Sequence, residues 1–286
     1  MNYNKKYFLE AGFLGPLALY SKKNANIKLK KILEEINRPQ SRVKTWNKAT
    51  HLISKTILDI ASDRRILKIT KDLLGDNILL WGSEIIQQEP GAKHRWHRDV
   101  EHEEWAGITF WIGLDNLDKN SSISFITKSN QLIASPQHFL EDLNLMGSKD
   151  IIKKAKAINS DCMLVCFSPD VGEFFFWDGP MWHATLNTGN KIRTALILQF
   201  CSSSYLPRQP KTFDIPPQFY KQPVPSVLMN GKNINNKNWI INPQCLHSNN
   251  RFVSFAAFHY FNLRKKIYRL KQKILNNQDN LNYQKP

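Results

Sequence analysis

The sequence predicts a mainly β chain flanked by helices, with an antiparallel barrel or jelly roll as its core. Short β-branched or aromatic runs crowd the stretch from Asn77 to Cys201, divided by Gly, Pro, Asn and Asp. Helix-like apolar spacing is concentrated toward the two ends of the chain. The regular alternation of strand and crossover helix that a doubly wound sheet requires is missing. A chain of 286 residues with 42% apolar content can bury a proper core, so we expect one globular domain with decorations.

In chain order, residues 6 to 36 and 49 to 74 carry helical spacing, and Gly75 is a plausible cap for the second run. We therefore expect an N-terminal helical part over residues 1–76. The β-rich core follows over 77–205, in the runs "NILLWGSEIIQQ", "AGITFWIGLDNL", "SISFITKS", "CMLVCFSP", "GEFFFWDG" and "RTALILQFC". A helix-like, Lys-containing insertion near 131–159 interrupts it. After Cys201 the Pro-rich run "LPRQPKTFDIPPQFYKQPVPS" marks an exit from the core, because proline cannot donate to a central ladder. The last part, 206–286, ends in a basic segment where Leu263, Ile267, Leu270 and Ile274 recur at helical spacing among Lys and Arg. A terminal amphipathic helix packed on the domain is the first reading of it; weak contact with a membrane surface, or docking to a partner, is the second.

The formal charge of +16 would attract an anionic partner. The lysines are nevertheless spread along the whole chain, and no recognition motif accompanies them, which weighs against nucleic acid. Cys162, Cys166, Cys201 and Cys245 form no CxxC pair and read as reduced thiols. No run has the length of a membrane span, and "MNYNKKYFLEAGF" lacks the features of a signal peptide, so a cytoplasmic protein is expected.

Chemistry concentrates in "GAKHRWHRDVEHEEW", residues 91–105. In an extended segment residues i and i+2 point to the same side, so His97 and Asp99 can aim an imidazole and a carboxylate at one point. His94 and His102 have no carboxylate two residues on. A lone His-x-Asp is a weak motif. The second half of the pattern is "GEFFFWDGPMWHATLNTGNKIRTALILQF", where His183 follows a Gly-Pro turn and Arg193 opens an apolar strand. Two imidazoles and a carboxylate on one face of a metal leave three positions open, the facial arrangement of non-haem Fe(II) oxygenases. A keto acid takes two of those positions and dioxygen the third. The far carboxylate of such a co-substrate needs a planar bidentate partner, which Arg193 supplies. Trp105, Trp177 and Trp182 flank the motifs as pocket walls or core, and the polar run Glu101, His102, Glu103, Glu104 reads as a solvated loop or a substrate lid.

The order and spacing of "QQEPGAKHRWHRD", "FWIGLDNLDKNSSISFITKSN" and "GEFFFWDGPMWHATLNTGNKIR", with an N-terminal match in "FLEAGFLGPLALYSKKNANIKLKKILEEI", resemble the phytanoyl-CoA dioxygenase-like family of Fe(II)- and 2-oxoglutarate-dependent dioxygenases. The resemblance implies a double-stranded β-helix (jelly-roll, cupin-like) core. It implies His97, Asp99 and His183 as iron ligands and Arg193 as the anchor of the distal 2-oxoglutarate carboxylate. Trp111 and Thr185 fall where the family has further co-substrate contacts. Fe(II), 2-oxoglutarate and O2 are the implied cofactors, and a small or carrier-linked molecule the implied substrate. Glu173 stands where the family has Asp, Asn120-Ser121-Ser122 where an Asn-Gly turn is common, and Lys128-Ser129-Asn130 where Gly-Ser-His is usual. Related halogenases carry a small residue at the carboxylate position, so the retained Asp99 implies hydroxylation. Two alternatives stand beside this: an inactive binding or regulatory protein of the same fold, and a nucleic-acid or protein hydroxylase of the superfamily.

Overall fold

A computed structural model of the chain describes residues 3–37, 48–99, 107–136, 139, 147–207, 225–242 and 263. Its helices are α1 (Lys5–Ala11), α2 (Lys22–Ile36), α3 (Lys55–Ala61), α4 (Arg64–Leu74) and α5 (Ser148–Ile158). Its strands are β1 (Phe13–Ala18), β2 (Ile78–Gln88), β3 (Lys93–His97), β4 (Gly107–Asp115), β5 (Ser121–Ile126), β6 (Leu164–Phe167), β7 (Glu173–Asp178), β8 (His183–Asn187), β9 (Arg193–Ser202), β10 (Pro225–Asn230) and β11 (Trp239–Ile240).

The strands form a larger sheet, β1-β7-β4-β9-β2-β10-β11, and a smaller one, β3-β8-β5-β6. Every described pairing is antiparallel except β10 with β11. The two sheets enclose the core of a double-stranded β-helix. Between them, Phe13 stacks on Phe125 at 4.8 Å, and Phe175 packs on Phe125 and Phe167 at 5.6 and 5.5 Å. Phe13, Phe125 and Phe175 are fully buried. Each contributes about 1.5–3 kcal/mol by leaving water.

The opposite face of the larger sheet carries the helices. Side chains alternate along a strand, so Phe110 and Ile112 of β4 face outward under α2 while Thr109 and Trp111 face inward. Helix starts are fixed by side-chain caps: Asn4 for α1, Ser21 for α2, Ser54 for α3 and Asp63 for α4 each accept a backbone N–H of the first turn.

Two departures from the sequence reading concern the ends of the core. Phe13–Ala18 lies within the run read as helical but forms β1, paired with β7. Gly12, at φ +88, ends α1 in the left-handed conformation, and Pro16 cannot sit inside a helix, so the chain joins the sheet edge. The chain also returns to the sheet after the Pro-rich run, with β10 pairing β2 through Val227 opposite Leu80. Pro225 is the first residue of β10, the place where a strand tolerates proline. The Glu101–Glu104 run, Trp105 and, Leu263 aside, the basic segment from Arg251 onward lie outside the described residues. Among the described residues no helix is long and apolar enough to cross a membrane.

Candidate metal centre

β3 and β8 pair antiparallel with His97 directly opposite His183, their ring centroids 4.2 Å apart. Both rings are oriented by their own strands. His97 Nδ1 lies 2.9 Å from the Arg95 carbonyl, and His183 Nδ1 lies 2.9 Å from the Met181 carbonyl. A carbonyl only accepts, so each Nδ1 carries the proton and each Nε2 presents a lone pair. Asp99 lies beyond the end of β3, its backbone N–H held by the Gly179 carbonyl at 3.1 Å. Its Oδ1 is 3.7 Å from His97 Nε2 and 3.8 Å from His183 Nε2. One donor atom from each of the three residues lies within 4.8 Å of the others. The 3.7 and 3.8 Å separations are within the span of a single ion bonded to its donors at about 2.0–2.2 Å.

The larger sheet supports the carboxylate. Thr109 of β4 and Trp177 of β7 are cross-strand neighbours on its inner face. Both donate to Asp99 Oδ2, the hydroxyl at 2.6 Å and the indole N–H at 3.0 Å, which leaves Oδ1 turned to the histidines. The Trp177 ring also packs on the His183 ring at 4.7 Å. Burial lowers the His97 imidazole to about 3, helped by the neighbouring His183, and lowers His183 as well against the opposing pull of Asp99. Burial alone would raise the Asp99 carboxyl, but His183, His97, Lys48 and the Thr109 hydroxyl together hold it below the usual carboxylate range. The resting set is thus two neutral imidazoles and one carboxylate, all in ligating form.

Arg193 opens β9 opposite Gln88 and is 1% exposed. One guanidinium nitrogen donates to the Ser122 carbonyl at 3.3 Å, and the group lies 5.8 Å from the centre of the Trp111 ring. Its Nε is buried without a hydrogen-bond partner, and no carboxylate among the described residues pairs with it. Burial pulls it down to about 10. A buried guanidinium with no counter-ion is costly, and an anion would satisfy it. Trp111 is thereby placed beside Arg193. Thr185 lies on β8 opposite His94, and its hydroxyl reaches Gln88 Oε1 at 3.3 Å.

No motif marks Thr109 as the partner of Asp99, and Trp177 reads from the sequence as a pocket wall or as core. Nothing in local spacing marks either, because both act across sheets. His94 has no carboxylate two residues on, yet its ring lies 4.1 Å from that of His97. Trp182 points the other way, into a separate cluster with Trp96 and Ile126. Lys128 adopts φ +61 where the family pattern has glycine, and the following Ser129 hydroxyl accepts the Trp182 N–H at 2.8 Å.

A double-stranded β-helix holding two histidines and an aspartate at one point defines a class of metal-dependent oxygenase-like proteins. A family profile described as Phytanoyl-CoA dioxygenase (PhyH) matches residues 22–195, and the chain belongs to that family. No curated protein sequence matches it significantly. Among solved structures, a non-heme monooxygenase, ThoJ in complex with Ni, superposes with TM-score 0.60 at 16% identity, covering 93% of this chain and 98% of that one. CytC3 with Fe(II) and alpha-ketoglutarate gives TM-score 0.59 at 15% identity, covering 82% and 91%. EctD from S. alaskensis, in its apoform, gives 0.54 at 16%, covering 74% and 80%. The fold is shared with all three. The donor set His97, Asp99 and His183, with the buried Arg193 in the same interior and no carboxylate on it among the described residues, fits Fe(II) and 2-oxoglutarate.

Proposed function

We propose that the protein is an Fe(II)- and 2-oxoglutarate-dependent dioxygenase that hydroxylates a C–H bond of a small or carrier-linked organic substrate. The observation that carries this reading is Arg193, buried and without a carboxylate partner among the described residues, in the same interior as a two-histidine, one-carboxylate cluster. A bare structural metal site would not need it. His97 and His183 would hold iron through Nε2 and Asp99 through Oδ1, and Arg193 would take the distal carboxylate of 2-oxoglutarate as a charge-assisted pair.

When bound, ferrous iron with 2-oxoglutarate and O2 supplies the oxidising chemistry: one oxygen atom enters succinate as CO2 leaves, and the other replaces hydrogen on the substrate as hydroxyl. The chain's own part is positional. The Arg95 and Met181 carbonyls fix the imidazole tautomers. Thr109 and Trp177 fix the carboxylate, so that one oxygen is engaged and the other is free. Trp111 lies against the Arg193 guanidinium, and Phe125, Phe175 and Trp177 keep the interior dry. Thr185 adds a hydroxyl on the same strand as His183. Retention of Asp99 favours hydroxyl transfer, since no ligand position is vacated for halide.

Purified protein supplied with Fe(II), ascorbate and 2-oxoglutarate should form succinate, and Asp99→Ala should abolish it. Oxygen from labelled O2 should appear in the organic product. Absence of succinate together with absence of iron binding would instead identify an inactive relative of the fold. Steeply salt-dependent retention on DNA or RNA would favour the nucleic-acid hydroxylase, whose support in the sequence is the net charge alone.

A further inference from the structure

Two charged side chains that motif reading does not mark stand near the metal centre. Glu84 lies on β2 in register with Ile197 of β9, which is in register with Trp111 of β4 and, across the next pair, Phe175 of β7. Residues in register across a sheet share a face. Phe175 packs on Phe125 of the opposite sheet, so this row, Glu84 included, faces the interior. The preceding residue confirms the alternation: Ser83 points outward, its hydroxyl bonded to Thr50 and to the His51 N–H.

Lys48 is held beside Glu84 by the backbone. Its carbonyl accepts the Ser83 N–H at 2.9 Å, and Ala49 forms a parallel bridge to Ser83. Bridge partners share a face, so Ala49 lies with the outward Ser83, and Lys48, next to it, is turned to the side of Glu84, on whose carboxyl its charge acts. Burial raises the Glu84 carboxyl, Lys48 opposes this, and Asp99 adds to it. Both side chains are half-buried, and among the described residues neither makes a hydrogen bond or an ion pair. A cation and an anion thus stand on the same side of the sheet, and among the described residues no hydrogen bond or ion pair joins them to each other or to another group. Half-buried charges of opposite sign, left apart, are satisfied together by a ligand that carries both complements.

We propose that Glu84 and Lys48 form the substrate-recognition subsite, and that its ligand is a small zwitterion, with an ammonium for Glu84 and an anionic group for Lys48. This rests on the dioxygenase reading above, in which iron and 2-oxoglutarate occupy the triad and Arg193, leaving Glu84 and Lys48 for the substrate.

The test is an anaerobic titration of the full chain loaded with Fe(II) and 2-oxoglutarate, followed by the metal-to-ligand charge-transfer absorption. The probes are the standard L-amino acids, β-alanine and 4-aminobutyrate, each beside its N-acetyl and its decarboxylated counterpart. At least one zwitterion should perturb the band, with both counterparts at least ~10-fold weaker. Glu84→Gln and Lys48→Met should each raise its Kd at least ~10-fold, while Glu84→Asp keeps most of the affinity. A subsite acting only on folding would lower Tm without this selectivity. A band that forms but ignores every zwitterion, or responds equally to the counterparts, overturns the subsite alone. Failure of the wild-type chain to form the band overturns the dioxygenase reading and the subsite with it.

Discussion

The indole N–H of Trp177 and the hydroxyl of Thr109 meet at a single oxygen, Asp99 Oδ2, from adjacent strands of the larger sheet. The smaller sheet supplies both histidines, so the centre is assembled only when the two sheets close. Trp177→Phe keeps most of the apolar contact with His183 and removes the hydrogen bond; Thr109→Val removes the other. Each should weaken Fe(II) affinity by about 10–100-fold, and the double variant by more than either. Iron titration by calorimetry checks this, with circular dichroism to show that the fold is kept. Unchanged affinity in the double variant would mean that Asp99 needs no orientation from the larger sheet.

Arg193 separates binding from stability. Arg193→Met should raise the Kd for 2-oxoglutarate by at least ~100-fold, since charged hydrogen bonds contribute about 1.5–3 kcal/mol each. The same change removes a buried charge that has no counter-ion among the described residues, so the ligand-free protein should keep or gain thermal stability. Arg193→Lys should not restore binding, because a point charge cannot reproduce the planar fork. Scanning calorimetry without ligand and equilibrium binding of 2-oxoglutarate read the two effects apart.

The legible part of this molecule was what repeats along the chain. Strand runs between Asn77 and Cys201 were readable because their side chains alternate between two packed faces. His97 and Asp99 were readable because two ligands two residues apart leave a local trace, and His183 and Arg193 because family spacing ties them to that pair. Partners brought together across sheets leave no such trace: Thr109 sits in an ordinary apolar run, and Glu84 in another. The strand β1 was hidden by neighbours with helical spacing on both sides, and its sheet partner, β7, lies about 160 residues away. β10 was hidden by the prolines before it, only the first of its own residues being one.

Gly172 joins the N-terminal arm to the core at a point where no side chain fits. Its φ is +96, and a Cβ there would lie 2.0 Å from the Tyr20 carbonyl oxygen. Its own carbonyl accepts the N–H groups of Leu19 and Tyr20, pinning the chain between β1 and α2 to the turn before β7. Gly172→Ala adds left-handed strain and a steric clash, and should cost about 2–4 kcal/mol. Denaturant unfolding measures the cost. The iron affinity of the folded fraction should be unchanged, because no metal-centre side chain touches this turn.

The metal-free protein should lose stability as pH falls from near neutrality. In the folded chain burial holds His97 near 3, and His183 is likewise below the ordinary value of 6.5. Between these values the unfolded chain binds protons that the folded chain refuses, so ΔG of unfolding rises with pH across the window and levels off above about 6.5. Asp99, held below 3.8, adds the same sign at the acid end, where the unfolded carboxylate takes up its proton first. Each histidine contributes up to about 1.4 kcal/mol per pH unit. Urea midpoints at about pH 7.5, 6 and 5 should therefore fall in that order, and His97→Gln should flatten the slope. The folded chain already holds these nitrogens neutral across the window, so the Fe(II) affinity of the folded protein should change little between about pH 7.5 and 5, and a saturating divalent ion should raise all three midpoints without removing their order. Equal midpoints at all three pH values would show that the two imidazoles are not held neutral in the fold, and the ligating state described for the triad would be wrong.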